Sequence, residues 1–460
     1  MRQLKHRTKA GYGAADLGMS GAEVMMQLYL LEFYTRVVGL RAEWAGIALA
    51  LAVLWDAVSD PLMGVISDHT RSRFGMRRGY IFAGGLMLAA AFLLLFTPPA
   101  LESQPAMFAY LLGFYLLTNT GMTIIAVPHY ALAGEMTFDR NQRTTLFGWR
   151  LLFKNGGFFL GTLAPGVMLA LQTAEAGSRG YAAAIIAAVT ILTAWITVRS
   201  VKPFDPDNRN ADTRFGSTWI ETGANLIRDM IAVGKNRLFL PLILAFVLAQ
   251  IGRTINASLA LYYYKIRLGF SEEEVVIQIL GVFILVITLS IAGWVLLSKR
   301  FGKKWPAFWG ALLLGVLTAL MYPFFTPGEI LPVILVAGIG GGGLVGSIIL
   351  FESLVADIVD YDELRSGRHR EGLYFGCWMM ATKASRALGL AFTGIMLNWT
   401  GYVEGAEQQT PETGWRLALL FGPGVGLFFI IGALVFALMP LTDKKHEQVQ
   451  RLLQQKRKHR

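Results

Sequence analysis

The stretch Trp55-Asp-Ala-Val-Ser-Asp-Pro-Leu-Met-Gly64 holds two carboxylates, Asp56 and Asp60, in an otherwise apolar run. Helical spacing places them on one face, one turn above the other. A carboxylate in hydrocarbon costs roughly 2.5–3.5 kcal/mol on insertion scales, so the pair needs a cation, a proton or a basic partner. Ser59 can turn a hydroxyl toward the same face. Pro61 has no N–H, so the Ala57 carbonyl loses its helical partner and becomes a further acceptor. This all-oxygen set suits a hard cation such as Na⁺. Without one, two adjacent carboxylates would share a proton. The expected cofactor is therefore a coupling ion, Na⁺ or H⁺, and nothing more.

Other ionisable residues fall in apolar surroundings. The first half of the chain carries Asp16 and Glu23, with Arg150 and Lys154 one turn apart; the second half carries Arg253, Lys383 and Arg386. Glu23, Asp56, Asp60 and Lys383 read as deepest, and Lys383 is expected to neutralise the acidic pair when the ion is absent. His129 reads as a pore or packing residue and the lone Cys377 as a small core residue. Crowded glycines from Gly338 to Gly346 read as close helix packing, with a bending helix as the alternative.

The elements that must position these groups follow from composition. Of 460 residues, 54% are hydrophobic and 16% charged, which excludes an ordinary soluble globular protein. Apolar runs long enough to cross a bilayer recur about twelve times, near 12–37, 43–67, 79–98, 106–134, 144–172, 180–199, 237–265, 274–298, 304–325, 329–356, 372–399 and 414–439. The net charge of +11 lies in alternate loops: before the first span, after the second (Arg71, Arg73, Arg77 and Arg78), after the eighth and tenth, and in the tail. Such loops stay cytoplasmic, so the charge is topological rather than a nucleic-acid surface. Both termini are expected in the cytoplasm of a multi-pass plasma (inner) membrane protein.

Arg73-Phe-Gly after span two is echoed by Arg300-Phe-Gly after span eight, about half a chain away. The expected fold is an all-α membrane protein of twelve transmembrane helices in two pseudo-symmetric six-helix bundles. The boundaries are 1–199 for the first bundle, 200–236 for a cytoplasmic linker with an amphipathic helix, 237–442 for the second bundle and 443–460 for a basic cytoplasmic tail. Repeated halves of this kind place a site near the midplane.

Trp55-Asp-Ala-x-x-Asp-Pro-x-x-Gly64 followed by Thr70-Arg-Ser-Arg-x-Gly75 resembles the second helix and loop of the glycoside–pentoside–hexuronide:cation symporters of the major facilitator superfamily. Tyr12-Gly-Ala-Ala and Phe33-Tyr-Thr-x-Val-Val-Gly-Leu40 resemble that family's first helix. Ala356-Asp-Ile-Val-Asp-Tyr361, Arg370-Glu-Gly372 and Lys383 resemble its loop and eleventh helix. The resemblance covers nearly the whole chain in the right order. It implies a cation site at Asp56, Ser59, Asp60 and Thr123. It implies a sugar site at Ser20, Ala126, Tyr130 and Arg150, where two of the family's sugar-binding aspartates are replaced by Ser20 and Ala126. It also implies gating by Asp68 and Arg71, Arg73, Arg77 and Arg78, with Asp357 and Asp360 as the counterpart in the second half.

With those aspartates gone, Arg150, Lys154, Arg253 and Lys383 would favour an anionic small-molecule substrate, unless Glu23 pairs with one of them. The expected function is cation-coupled symport, by alternating access, of a sugar or acidic sugar derivative. Transport of a lysophospholipid or other anionic amphiphile is the alternative, and a transport-inactive sensor a distant one. No His-Glu-x-x-His and no Cys/His cluster marks an enzyme. The expected partners are the small-molecule substrate and the bilayer, with no nucleic acid, and the working unit is expected to be a monomer.

Overall fold

A backbone in hydrocarbon must satisfy its own N–H and C=O groups, and a chain of long apolar runs does so as helices. The computed structural model describes residues 4–70, 75, 77–137, 140–171, 175–204, 233, 236–366, 371–406 and 408–440. The expected amphipathic helix of the linker, the basic tail, Arg71 and Arg73 lie outside the described residues, as does the side chain of Asp68.

Twelve helical runs follow one another among the described residues: α1 (6–37), α2 (Ala42–His69), α3 (Arg78–Leu95), α4 (Gln104–Met136), α5 (Arg140–Ala170), α6 (Glu175–Val201), α7 (Phe239–Arg267), α8 (Glu274–Phe301), α9 (Lys304–Phe324), α10 (Ile330–Arg365), α11 (Glu371–Trp399) and α12 (Pro411–Ala437). Nine of them are long and apolar enough to cross a membrane. The remaining three, α1, α5 and α11, carry Asp16, Glu23, Arg150, Lys154, Lys383 and Arg386.

The repeat seen in the sequence has a backbone counterpart. Gly75 and Gly302, which close the two Arg-Phe-Gly echoes, both adopt positive φ, 95° and 78°. A second echo appears where α1 and α7 end. Each finishes in wide π-helical turns, Phe33–Val37 and Tyr263–Arg267, followed by a glycine at positive φ, Gly39 at 85° and Gly269 at 72°. Leu40 N–H then reaches back to the Tyr34 carbonyl at 2.9 Å, and Phe270 N–H to that of Tyr264 at 3.1 Å. Only glycine takes this left-handed turn without strain.

The chain forms two compact units. The first comprises 1–214, 271–277 and 390–409; the second comprises 215–270, 278–389 and 410–460. In the first, α4 packs on α2 and α3, and α1 packs on α5 and α6. Small residues set these contacts: a Cβ on Gly121 would lie 2.7 Å from the Leu88 backbone nitrogen. In the second unit the core gathers Phe246, Trp378, Phe351, Phe436 and Cys377, with the Phe246 and Trp378 rings stacked at 3.8 Å. The residues 281–301 of α8 include no buried side chain. The glycines of α10 show the close packing read from the sequence. The helix is irregular over 334–348, passing through π and 3₁₀ turns, and Gly342 sits so close to α8 that a Cβ would lie 2.9 Å from the Phe283 carbonyl oxygen.

Candidate cation and substrate sites

Helices α2 and α4 meet along a polar seam that climbs one turn at a time. Asn119 donates to the Ala52 carbonyl at 3.0 Å, and the Trp55 indole N–H to Thr120 Oγ1 at 3.0 Å. One turn further, Thr123 Oγ1 donates to Asp60 Oδ1 at 2.7 Å, with Ser59 Oγ 3.4 Å from Thr123 Oγ1. Ser59 and Thr123 are buried, while Asp56 and Asp60 are half-buried. Pro61 lies inside α2, so the turn that carries both carboxylates also carries the released Ala57 carbonyl. Three of the four expected cation residues thus touch, and the fourth, Asp56, is one turn away on the same helix. Their donors are all oxygen, which fits a hard monovalent cation.

The expected sugar corner is arranged differently from the sequence reading. Arg150 is matched by an acid: its Nε donates to Asp16 Oδ2 at 2.7 Å and its Nη2 to Asp16 Oδ1 at 3.0 Å, and both side chains are buried. This corrects the expectation of an arginine left without its acid, because Asp16 lies one turn before Ser20 and supplies the missing carboxylate. The Tyr130 ring faces the guanidinium at 4.0 Å and is 49% exposed. Ser20 is a second correction. Its hydroxyl donates to the Asp16 carbonyl at 2.5 Å and the Lys154 carbonyl at 2.9 Å, buried where Gly157 lets α1 and α5 approach, so it joins helices. Lys154 Nζ lies 5.6 Å from the Phe158 ring, and Glu23 and Ala126 are half-buried on α1 and α4.

His129 packs rather than lines an opening. It stacks on Tyr12 at 4.4 Å, its Nε2 lies 2.8 Å from the Tyr12 carbonyl, and Tyr12 Oη donates to the His129 carbonyl at 2.8 Å. A carbonyl partner makes Nε2 the protonated nitrogen. Arg253, exposed on α7, and Lys383, half-buried on α11, belong to the second unit. Of the residues expected to gate, Arg77 is buried and donates to Ser67 Oγ at 2.6 Å; Arg78 begins α3. In the second unit Lys303 Nζ donates to Asp357 Oδ1 at 2.6 Å, and Asp360 is half-buried one turn on.

One ionic cluster was missed. Arg179, the largest fully buried side chain among the described residues, grips Glu272 through both Nη atoms, reaches Glu32 Oε2 at 3.2 Å from Nη2, and lies over the Tyr29 ring at 4.6 Å. Glu32 in turn accepts from Arg36 Nε at 2.6 Å. In the sequence Arg179 reads as one of the few charges at the edge of an alternate loop. Its isolation beside an apolar run was the available signal.

The sequence model of the MFS/sugar transport protein family matches residues 11–443. A putative glycoside/cation symporter of Escherichia coli is 25% identical, covering 98% of this chain and 96% of its own. The glucuronide carrier protein homolog of the same organism is 26% identical over 97% of this chain and 95% of its own. A sodium-dependent lysophosphatidylcholine symporter of Xenopus tropicalis is 22% identical, covering 96% and 88%. Among solved structures, a bacterial homolog of the human lysosomal transporter Spinster superposes with a TM-score of 0.69 at 15% identity, covering 95% of this chain and 98% of that one.

Proposed function

Because the chain belongs to the MFS/sugar transport protein family, we propose that it couples the movement of a sugar across the membrane to Na⁺ or H⁺ bound at the α2–α4 seam. The observation that carries this reading is the chain of contacts from Ser59 to Thr123 and from Thr123 to Asp60. Two neutral hydroxyls and a carboxylate can replace part of a cation's hydration shell, and Asp56 adds the second negative charge. The hydroxyl that now donates to Asp60 would turn its lone pairs to the ion. The names of the glycoside, glucuronide and lysophosphatidylcholine relatives support a small-molecule substrate and leave the sugar as the commonest class among them.

At the Arg150 corner the charge is already balanced by Asp16, which favours a neutral polyol stacked on Tyr130 over an anion. Within the first unit, an acidic sugar would have to be read by Lys154 rather than by Arg150. The chain works as a monomer with both termini in the cytoplasm, and Asp68, Arg71, Arg73, Arg77 and Arg78 with Asp357 and Asp360 act at its cytoplasmic gates.

Uptake into proteoliposomes decides the matter. A methyl glycoside, a glucuronide and lysophosphatidylcholine are compared with and without Na⁺, at mildly acidic and mildly alkaline pH. The methyl glycoside is expected to accumulate with a cation gradient and the other two to compete weakly. Accumulation of lysophosphatidylcholine alone would overturn the sugar reading. In Asp60→Asn, cation-driven accumulation is expected to vanish while ion-independent exchange persists; unchanged coupling would overturn the cation site.

A further inference from the structure

The Glu32–Arg179–Glu272 cluster lies in the first unit, at the end of that unit away from the N-terminal start of α1. It draws on three places far apart in sequence: the last part of α1, the second turn of α6 and the residue two before α8. Glu272 sits between two residues that cap the start of the helix. Ser271 and Glu274 form a capping box around it, with Ser271 N–H and Oγ donating to Glu274 Oε2 at 2.8 and 2.9 Å, and Glu274 N–H donating to Ser271 Oγ at 3.2 Å. The grip therefore falls on the start of α8. Immediately beyond, residues Glu274–Leu280 are wound as wide π-helical turns, and within them membership passes from the first unit (to Ile277) to the second (from Gln278).

Buried ions are a poor choice for simple cohesion. Removing several charges from water costs more than their attraction commonly returns, and apolar side chains of the same volume often hold better. Ions have one advantage that leucines lack. In water they separate cheaply, because each is rehydrated and their mutual attraction is screened. An ionic cluster suits a contact that is dry in one state and wet in another. Here two arginines, Arg36 and Arg179, balance two glutamates, so the closed cluster carries no net charge.

We propose that Glu32, Arg179 and Glu272 form a reversible ionic latch, which holds the start of α8 against α1 and α6 and parts when water enters this end of the first unit. The proposal rests on the transporter reading, since a transporter must open and close this end, but it does not depend on what is carried.

Its test needs no substrate. Ser178, fully buried beside Arg179, is replaced by cysteine in a Cys377→Ala background, and a membrane-impermeant maleimide is added to the full chain in proteoliposomes. A second variant in the same background carries cysteine at Ala89, buried in α3 away from the latch. Glu272→Gln weakens the fork and is expected to raise labelling of S178C at least tenfold while leaving A89C unchanged. The triple variant Glu32→Met, Arg179→Met and Glu272→Met keeps the corner packed without charge. It is expected to label S178C several-fold more slowly than the parent, because an apolar contact does not part in water. Labelling of S178C that is unchanged in either variant would overturn the latch. So would an equal rise at A89C, which marks loosening of the whole unit. Loss of sugar uptake with these labelling patterns intact would count against the proposed cargo and leave the latch standing.

Discussion

Helix α1 grips two arginines, and the contrast between them separates two uses of buried charge. Asp16 holds Arg150 of α5 bidentately, with the Tyr130 ring as a half-exposed cover. Further along, Glu32 helps hold Arg179 of α6, which is wholly enclosed and shared with Glu272. The first pair is one acid and one base beside an aromatic surface that a ligand can reach. The second is a closed four-charge set with its central guanidinium shut away from solvent. The same chemical pair thus stands beside a half-exposed ring in one place and inside a closed cluster in the other.

The sharpest way to break the comparison is to remove one arginine at a time. Arg179→Met leaves two enclosed carboxylates with only Arg36, and should cost about 3–5 kcal/mol, the usual range for orphaning a buried charge. Arg150→Met orphans one buried carboxylate instead of two, and should cost about 3 kcal/mol, the lower end of that range. Thermal unfolding in one detergent compares them, and equal losses would remove the distinction. Next in size, Gly121→Ala forces a methyl against the Leu88 backbone and should cost about 1–3 kcal/mol. Thr123→Val keeps shape but loses the bond to Asp60. Its stability cost should be about 1 kcal/mol, with cation affinity in a titration falling about tenfold. Smallest is Tyr12→Phe, which removes only the bond to the His129 carbonyl while the stacked ring stays, for about 0.5–1.5 kcal/mol.

Much of the scaffold was legible in the residues. Long continuous apolar runs satisfy their own backbone in hydrocarbon only as helices, so run length places α2 through α4, and the Arg-Phe-Gly echo revealed a repeat that the backbone carries in Gly75 and Gly302. Asp56, Ser59 and Asp60 could be read together because Ser59 and Asp60 each lie one turn from Asp56, while Thr123 came from family resemblance. The ion pairs could not be read. Asp16 and Arg150 are 134 positions apart, and Arg179 and Glu272 are 93 apart. Which side chains meet across helices depends on how each helix is rotated against its neighbours, and no periodicity within one segment records that. For the same reason Ser20 could be assigned to a ligand when it faces α5.

The sealed cluster also bears on how the chain is made. A ribosome delivers α1 and α6 before Glu272 exists, so the newly inserted corner holds Arg36 and Arg179 against Glu32 alone and carries one uncompensated positive charge. That charge is cancelled only when the residues just before α8 emerge. Until then the first six helices lack the acid that balances this corner in the finished chain.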